Sequence, residues 1–371
     1  MKPRLLLVGG GHAHLEVVRR LAGNSEVSAT LINPGRYATY SGMLPGLIAG
    51  QYRFEDAHVD LAALCGRAGV ALLNGRALAL RPDRAEVETD AGVLPYDVLS
   101  LDTGSTPRLD VPGAQAYAVP IKPVPSFLSR WEAFLGAPSG GPRSVVVVGG
   151  GAGGVELILA MAARASHGPT PKPSFTLAAS ELLPGRGARL RRLLRGTLER
   201  RGVVVEEQAV SEVASDHVVL ESSRRLAADF VVFATPAAAP AWIAGSGLLT
   251  DPAGFISVNR YLQSRSHPAV FAAGDVASIA DRPVPKAGVY AVRAGPRLHQ
   301  NLLAALAGRT PTAAYRPQRR ALALITDGEG GATLSYGKLA LAGAWVGRWN
   351  DSIDRKFMAK YDLRPAPPAQ P

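Results

Sequence analysis

The sequence predicts an α/β protein that contains two Rossmann-like dinucleotide-binding domains. Two glycine-rich segments, residues 9–14 and 149–154, carry this prediction, and they begin about 140 residues apart in a chain of 371 residues. Each segment follows a short apolar run and precedes an amphipathic helical pattern, which is the strand-turn-helix context that a dinucleotide fingerprint requires. A third observation is that 47% of the residues are hydrophobic, which is enough for a large core.

The first fingerprint follows the apolar run at residues 5–8 and is predicted to hold a diphosphate against bare backbone. Gly9 and Gly11 fill its first two glycine positions, and His14 stands at the third. A diphosphate binds backbone N–H groups at a helix N-terminus, where a Cβ atom would push it away. The third glycine normally allows close packing of helix and strand, so we expect His14 to loosen that packing or to point along the cofactor.

The second fingerprint follows the apolar run at residues 144–148 and has all three glycines. These are Gly149, Gly151 and Gly154. It is therefore the better match to the pattern, and it predicts a second dinucleotide site.

The residues at the ends of the second predicted strands indicate how each ribose is bound. An acidic residue is usual there, but the strands at residues 27–32 and 175–179 are followed by Asn33 and Ser180. Asn33 can still form a hydrogen bond with a hydroxyl group. Ser180, with Arg186 downstream, favours a 2′-phosphate and hence NADPH, although a solvated arginine face explains Arg186 equally well.

A second set of strands extends the internal duplication. The apolar strand at residues 96–103 ends in Thr103 and is followed by Gly104, and the strand at residues 229–235 is its counterpart in the second unit. A later strand at residues 270–275 ends in Gly274 and Asp275 without starting a third full domain.

Composition limits the class of protein. No apolar run reaches the roughly 18 residues needed to span a bilayer, and the N-terminal apolar run breaks into glycines too early for a signal peptide. We therefore expect a cytoplasmic protein. The single cysteine, Cys65, excludes an intrachain disulfide and is interpreted as a small buried hydrophobe. No metal site is predicted.

The net charge of +11 comes mainly from arginine, concentrated in one amphipathic helical pattern. This pattern is compatible with a solvated helix face, with contact to a dinucleotide phosphate, or with attraction to anionic lipid. Nucleic-acid binding is not expected, because no recognised module or supporting aromatic residues are present. The arginines concerned are Arg186, Arg189, Arg191, Arg192, Arg195, Arg200 and Arg201.

The C-terminal part contains a stripe of large apolar residues spaced four apart, which predicts one amphipathic helix. It packs on the fold or docks on a membrane surface, and the short helix favours packing. Residues 365–371 are expected to be disordered. The stripe consists of Trp345, Trp349, Ile353, Phe357 and Tyr361.

The motifs together resemble flavoproteins of the glutathione reductase class, which bind two dinucleotides. The Ala-Ala-Gly-Asp at residues 272–275 resembles the late motif of that class, whose aspartate binds the ribitol of FAD. The resemblance covers residues 1 to about 306 and implies an NAD(P)H domain inserted into an FAD domain. The implied boundaries are residues 1–117 and 251–330 for the FAD domain, 118–250 for the NAD(P)H domain, and 331–371 for an amphipathic segment and tail.

The same resemblance assigns the cofactor-binding residues. It implies that Gly149, Gly151 and Gly154 hold NAD(P)H. The residues implied to hold FAD are Gly9, Gly11, Thr103, Gly104, Gly274 and Asp275.

Two further details are similar to type II NADH dehydrogenases and their quinone-reducing relatives. Disulfide reductases of the class carry Cys-x4-Cys where this chain has Ser41 to Gly46, so reduction through an enzyme dithiol is excluded. Glu156 matches a glutamate that lies near nicotinamide and quinone in that family, although a helix-start carboxylate explains it equally well. Lys286 matches a lysine near the flavin pyrimidine in sulfide:quinone enzymes, and the alternative is an ordinary loop lysine.

A narrower resemblance is to a flavoprotein family fused to, or encoded beside, selenide, water dikinase. It is carried by residues 9–14, 40–46 and 286–293, and it would make His14 a family trait. The resemblances together imply an FAD enzyme that passes electrons from NAD(P)H to a quinone or a similar small acceptor. A reductase of a selenium or sulfur compound, and a low-turnover flavin sensor or partner-binding protein, are the alternatives.

Overall fold

Two parallel five-stranded sheets dominate the computed structural model, which describes residues 2–138, 141–168, 171–318 and 320–362. In residues 2–117 the elements are β1 (Arg4–Val8), α1 (His12–Leu21), β2 (Ser28–Asn33), β3 (Tyr37–Thr39), α2 (Leu44–Ile48), α3 (Phe54–Ala57), β4 (His58–Asp60), α4 (Leu61–Ala68), β5 (Ala71–Asn74), β6 (Ala77–Arg81), β7 (Glu86–Thr89), β8 (Gly92–Pro95), β9 (Val98–Leu101), β10 (Thr106–Pro107) and α5 (Ala114–Tyr117).

The middle of the chain repeats this arrangement. In residues 118–250 the elements are β11 (Val119–Pro120), α6 (Val124–Gly136), β12 (Ser144–Val148), α7 (Ala152–Ser166), β13 (Ser174–Ala178), α8 (Ala188–Arg200), β14 (Val203–Glu206), β15 (Val210–Val213), β16 (His217–Leu220), β17 (Arg225–Ala227), β18 (Phe230–Phe233) and β19 (Ala237–Ala238).

The last part of the chain completes the first sheet and adds a smaller one. In residues 251–362 the elements are β20 (Ile256–Val258), β21 (Val270–Ala272), β22 (Ala277–Ile279), α9 (Gly288–Leu306), β23 (Ala323–Thr326), β24 (Ala332–Tyr336), β25 (Leu339–Gly343) and α10 (Ala344–Met358).

Strand order confirms the predicted α/β fold with one unit inserted into the other. The first sheet has the order β21-β9-β1-β2-β5 and the second β11-β18-β12-β13-β14, with parallel pairing throughout both sheets. Because β21 follows the whole second sheet in sequence but pairs with β9, the chain leaves the first unit and later returns to it. Each unit also carries a three-stranded antiparallel sheet, β6-β7-β8 in the first and β15-β16-β17 in the second.

Each parallel sheet is buried on both faces, which explains the continuous apolar runs of its strands. Leu7, Leu31 and Phe271 are fully buried in the core of the first unit. Val147 and Leu177 have the same place in the second. Packing of these apolar strands against helices places the glycine-rich turns at the carboxyl edge of each sheet, where α/β proteins bind ligands.

The C-terminal part differs from the expected single helix, because a three-stranded antiparallel sheet, β23-β24-β25, precedes α10. This sheet packs against α7 and α8 of the second unit. Two features of the sequence indicate this hairpin: the apolar-polar alternation of β24 and the glycine at the turn, Gly337, with φ of 61°.

The aromatic stripe divides between core and surface. Phe357 and Tyr361 are buried in the core of the first unit, as expected for packing. Trp345, Trp349 and Ile353 are instead 47%, 42% and 39% exposed. Among the described residues no helix combines the length and apolarity required to cross a membrane. The predicted disordered tail at residues 365–371 lies outside the described residues.

Candidate functional site

Glycine is required in the first fingerprint because the chain approaches itself closely there. Gly9 has φ of +91°, and a Cβ at this position would lie 2.5 Å from the carbonyl oxygen of Asp102. A Cβ at Gly11 would lie 2.3 Å from the Asp102 carboxyl carbon, and one at Gly274 would lie 2.4 Å from its Oδ1. The structure therefore brings three predicted FAD-binding glycines together at the start of α1.

The structure places His14 inside the protein, where its ring bonds to two other groups of the chain, and its expected contact with the cofactor stays a prediction. The residue is fully buried. Its Nδ1 lies 2.6 Å from the carbonyl oxygen of Gly9, and its Nε2 lies 2.8 Å from Oγ of Ser100. Because both ring nitrogens bond within the protein, His14 links the glycine-rich turn at Gly9 to Ser100 on β9.

Asn33 also supports the turn. Its Oδ1 accepts a hydrogen bond from the backbone N–H of Gly10 at 2.9 Å, and its Nδ2 donates to the carbonyl of Gly35 at 3.0 Å. The Oδ1 atom can accept a second bond, so the predicted ribose contact stays a prediction.

Thr103, Gly104 and Asp275 lie beside this turn, and their implied contact with FAD stays a prediction. Ser105 Oγ donates to Oδ2 of Asp275 at 3.0 Å, which joins the end of the first sheet to the segment after β21. The buried Thr103 Oγ1 and His12 Nε2 have no hydrogen-bond partner among the described residues. Orphaned buried polar atoms call for a partner, and a glycine cradle with such atoms around it fits FAD.

Lys286 precedes α9 and lies on the same side. Its ammonium group donates to the carbonyl of Ala277 at 2.7 Å and lies 3.7 Å from the centre of the Phe255 ring. Burial lowers the pKa of Lys286, and the negative charges of Asp275 and Asp251 oppose that effect. A half-buried cation at this place could stabilise negative charge on a bound group.

The second fingerprint is also held by close backbone contacts. Gly149 has φ of +130°, and a Cβ there would lie 2.4 Å from the carbonyl oxygen of Ala234. A Cβ at Gly154 would lie 1.9 Å from the carbonyl oxygen of Gly149, as expected for the glycine that lets helix and strand pack. Gly151, in contrast, has nothing within 4 Å of an added Cβ, so that its position is open.

A cavity of about 750 Å³ connects the two units. Gly149, Gly151 and Ser180 line it from the second unit, and Asp275 and Lys286 line it from the first. One predicted FAD-binding residue, Asp275, therefore lines the same space as the second fingerprint. Arg186 is exposed and is not among the residues that line this cavity, so the structure does not bring it to the site.

Glu156 meets the C-terminal sheet instead of lining that cavity. Its Oε1 accepts hydrogen bonds from the backbone N–H of Thr326 at 3.0 Å and from Thr326 Oγ1 at 3.4 Å. Burial raises the pKa of Glu156 to about 7 against these two bonds, and the charge of Asp354 raises it further. Such a carboxyl group can exchange a proton near neutral pH.

The sequence analysis missed a cluster around Tyr40 at the end of β3. The Tyr40 hydroxyl donates to Oδ1 of Asp354 at 3.0 Å, and its ring stacks on Phe357 with centroids 4.2 Å apart. The His12 ring meets the Tyr40 ring edge-on at 5.4 Å. Asp354 on α10 is 4% exposed, and burial raises its pKa to about 6. The stripe spacing identified Phe357, but no local signal links α10 to β3.

The thiol of Cys65 takes no part in the site. It is buried in the core of the first unit on α4, and burial raises its pKa to about 11. A thiol with that pKa is a poor nucleophile at neutral pH, in agreement with the prediction of a small buried hydrophobe.

Comparison with known proteins identifies the family. Residues 3–300 match the family model described as pyridine nucleotide-disulphide oxidoreductase. An NADH dehydrogenase-like protein of Mycobacterium tuberculosis is 27% identical over 301 residues, which cover 74% of this chain and 73% of the relative. A type II NADH:quinone oxidoreductase of Staphylococcus saprophyticus is 23% identical over 371 residues, which cover 91% of this chain and 90% of the relative.

A solved structure extends the likeness of fold. The sulfide:quinone oxidoreductase of Aquifex aeolicus superposes with a TM-score of 0.78 at 20% identity, covering 98% of this chain and 93% of its own. The chain therefore belongs to the pyridine nucleotide-disulphide oxidoreductase family, as an oxidoreductase that uses FAD and NAD(P)H.

Proposed function

We propose that this protein passes electrons from NAD(P)H through FAD to a quinone or a similar small acceptor, without a dithiol of its own. The observation that carries the proposal is a cavity lined by Gly151 and Ser180 on one side and by Asp275 and Lys286 on the other. Hydride transfer depends on holding the two cofactors close together in one orientation, and a cavity lined by both units supports such an arrangement.

The cysteine content supports direct transfer to the acceptor. The one thiol, Cys65, lies in the core of the first unit. FAD would supply the hydride-accepting chemistry, and Gly9, Gly11, Thr103, Gly104 and Asp275 would hold it. Lys286 would face the negative charge that reduction adds. The relatives named as NADH dehydrogenase-like and as NADH:quinone oxidoreductase favour a quinone as the acceptor.

Anaerobic stopped-flow mixing of the purified protein with NADH, and separately with NADPH, tests this proposal. Flavin absorbance at about 450 nm should bleach at about 1 s⁻¹ or faster with at least one nucleotide. A short-chain quinone should then restore the absorbance. Oxidised selenium and sulfur compounds, added in parallel, test the link to selenium metabolism. Bleaching by dithionite but by neither nucleotide would contradict the proposal and favour a flavin sensor.

We further propose that the exposed face of α10 rests on an anionic membrane surface. This face consists of Trp345, Trp349 and Ile353, which follow one another at four-residue intervals and are each more than a third exposed. Arg348 and Lys356 lie between and beside them in sequence and supply positive charge. Aromatic residues with flanking basic residues suit the interface between headgroups and acyl chains.

Sedimentation with vesicles tests the membrane contact. The wild-type protein should sediment with phosphatidylglycerol-containing vesicles and not with neutral ones, and Trp345→Ser/Trp349→Ser should abolish this binding. Leu78→Ser is the matched control, because Leu78 is 50% exposed on β6. Equal sedimentation of the wild-type protein and the double variant would contradict the contact.

A further inference from the structure

Asp102, which follows β9, places a buried carboxyl group at the N-terminus of α1. It is 3% exposed. Its Oδ2 accepts hydrogen bonds from the backbone N–H groups of Ala13 at 2.8 Å and His14 at 3.1 Å, in the first turn of the helix. The close approaches at Gly11 and Gly274 enclose the same carboxyl group from two other segments. It therefore lies in the same glycine cradle that the first fingerprint predicts for the diphosphate of FAD.

The charged and titratable groups around this carboxyl do not neutralise it. Asp275 carries the same sign and raises the pKa of Asp102. Burial lowers the pKa of His12 and of His14 to about 4, so both rings are neutral at pH 7. The ammonium group of Lys122 donates to the carbonyl of Ser105 at 3.1 Å, and that of Lys286 to Ala277.

Within the described residues, Asp102 thus has no ion-pair partner. Burial raises its pKa to about 7 in spite of the two backbone hydrogen bonds. A carboxyl group with that pKa changes its charge in the physiological range, so that small changes in its surroundings decide whether it is ionised.

A bound diphosphate brings further negative charge to the same helix N-terminus. Like charges in a buried site disfavour each other's ionised forms, and the effect of one on the other is reciprocal. We propose that Asp102 takes up a proton when FAD binds, so that the protein holds FAD more tightly at acidic than at alkaline pH. The proposal depends on FAD binding alone and is independent of which acceptor the protein reduces.

The dissociation of FAD from the diluted holoprotein, followed by the fluorescence of released FAD between pH 6 and pH 9, tests this. The dissociation constant of the wild-type protein should rise above about pH 7, with a limiting slope of about tenfold per pH unit for one proton. Asp102→Asn keeps an acceptor for the helix N–H groups but cannot ionise, so its dissociation constant should be flat in this range. An equal slope in wild type and variant would overturn the proposal.

Glu16→Gln is the matched control. Glu16 is a nearly buried carboxylate on the same helix, but it pairs with Arg19 and Arg20, and its pKa is lowered. It stays ionised from pH 6 to pH 9, so the variant should keep the wild-type slope.

A second measurement keeps the proposal testable if Asp102→Asn does not fold. The infrared spectrum of the Glu156→Gln holoprotein, which lacks the other carboxyl group with a pKa of about 7, should contain at pH 8 a band of a protonated carboxyl group that shifts in D₂O. A wild-type dissociation constant that does not change between pH 7.5 and pH 9, together with the absence of that band, would show that Asp102 stays ionised beside FAD.

Discussion

Lys286 has the surroundings of a lysine that stabilises negative charge on a neighbouring group. It is half-buried, it bonds to one carbonyl oxygen, and its nearest carboxylates lower the cost of its own burial. An ordinary loop lysine would extend into solvent and would make none of these contacts. Its role toward FAD can therefore be separated from a merely structural one by a potential measurement.

Lys286→Met should lower the midpoint potential of the bound flavin, because reduction adds negative charge that the variant no longer compensates. We expect a shift of about −30 mV, which corresponds to a factor of ten for a two-electron couple, and a similar slowing of bleaching by NAD(P)H. Lys286→Arg keeps the charge and should retain most of the wild-type potential. A potential that is unchanged in Lys286→Met, with FAD still bound, would assign the lysine to structure alone.

Ser180 is the residue that should determine the choice between NADH and NADPH. It lines the cavity two residues after the end of β13 and carries no charge. In Ser180→Asp, a carboxylate could accept hydrogen bonds from ribose hydroxyls and would repel a 2′-phosphate. The ratio of the bleaching rate with NADPH to that with NADH should fall about tenfold or more.

Glu181→Gln is the control for that experiment. Glu181 is adjacent, but its exposed carboxylate already pairs with Arg191 at 2.7 Å. In Glu181→Gln the ratio of the bleaching rate with NADPH to that with NADH should change little. If Ser180→Asp left the ratio unchanged, the ribose would lie elsewhere in the cavity.

Single residues were predictable from the sequence where the constraint is local. Gly9 and Gly149 were recognised because each adopts a positive φ immediately after a strand, and the fingerprint encodes that turn. The place of the His14 ring could not be predicted, because its partner, Ser100, is 86 residues away. The position of Asp102 could not be predicted for the same reason, since the helix that it caps begins 90 residues earlier.

At the scale of elements, the sheet β23-β24-β25 changes the environment of α7. Thr326 at the end of β23 covers Glu156 and supplies both of its hydrogen bonds. The fingerprint predicts a glutamate at the start of a helix, but not that a strand 170 residues later donates hydrogen bonds to its carboxyl group. Antiparallel strands this short carry weak signals, because their stability comes from the helices on which they pack.

The raised pKa of Glu156 has a consequence for stability. The folded state binds the proton of Glu156 more tightly than the unfolded state does. The stabilisation that the protonated carboxyl group gives to the folded state is therefore fully present below about pH 4.5, and it is lost as pH rises through about 7. Glu156→Gln keeps the hydrogen bonds to Thr326 but has no proton to lose. The free energy of unfolding of this variant, relative to that of the wild-type protein, should increase by about 2 kcal/mol between pH 5.5 and pH 8.5.

Thermal unfolding at the two pH values measures this effect. The difference in Tm between Glu156→Gln and wild type should be about 2–4 °C larger at pH 8.5. Glu132→Gln, which removes an exposed carboxylate paired with Arg164, should show no such dependence. A pH-independent difference for Glu156→Gln would mean that Glu156 is as easily ionised in the folded as in the unfolded chain.

At the scale of the whole molecule, the C-terminal part joins the two units. Ile325 on β23 and Ala340 on β25 are buried in the core of the second unit, whereas Phe357 and Tyr361 are buried in that of the first. The fingerprints predict two dinucleotide-binding units, and the strand pairing shows both of them. Their joining could not be predicted, because it depends on contacts between segments that are distant in sequence.

The aromatic stripe shows why its interpretation from spacing was incomplete. An α-helix turns about 100° per residue, so residues four apart are displaced by about 40° around the axis. From Trp345 to Phe357 the displacement adds up to about 120°. A stripe with this period therefore cannot stay on one face, and its first three members leave the core while its last members enter it.

This division leads to a prediction about cooperativity. Because α10 is anchored in the first unit through Phe357 and continues from strands anchored in the second, the holoprotein should unfold in one calorimetric transition. Phe357→Ala removes the ring that stacks on Tyr40 and leaves a cavity in the first core, at a cost of about 3–5 kcal/mol. The transition should then move to lower temperature and broaden or divide, since the first unit loses its attachment to the C-terminal helix.

Ile353→Ala, one turn earlier at a residue that is 39% exposed, should leave the transition nearly unchanged. If the two variants behaved alike, or if the wild-type protein already unfolded in two separate transitions, α10 would not be the element that couples the units.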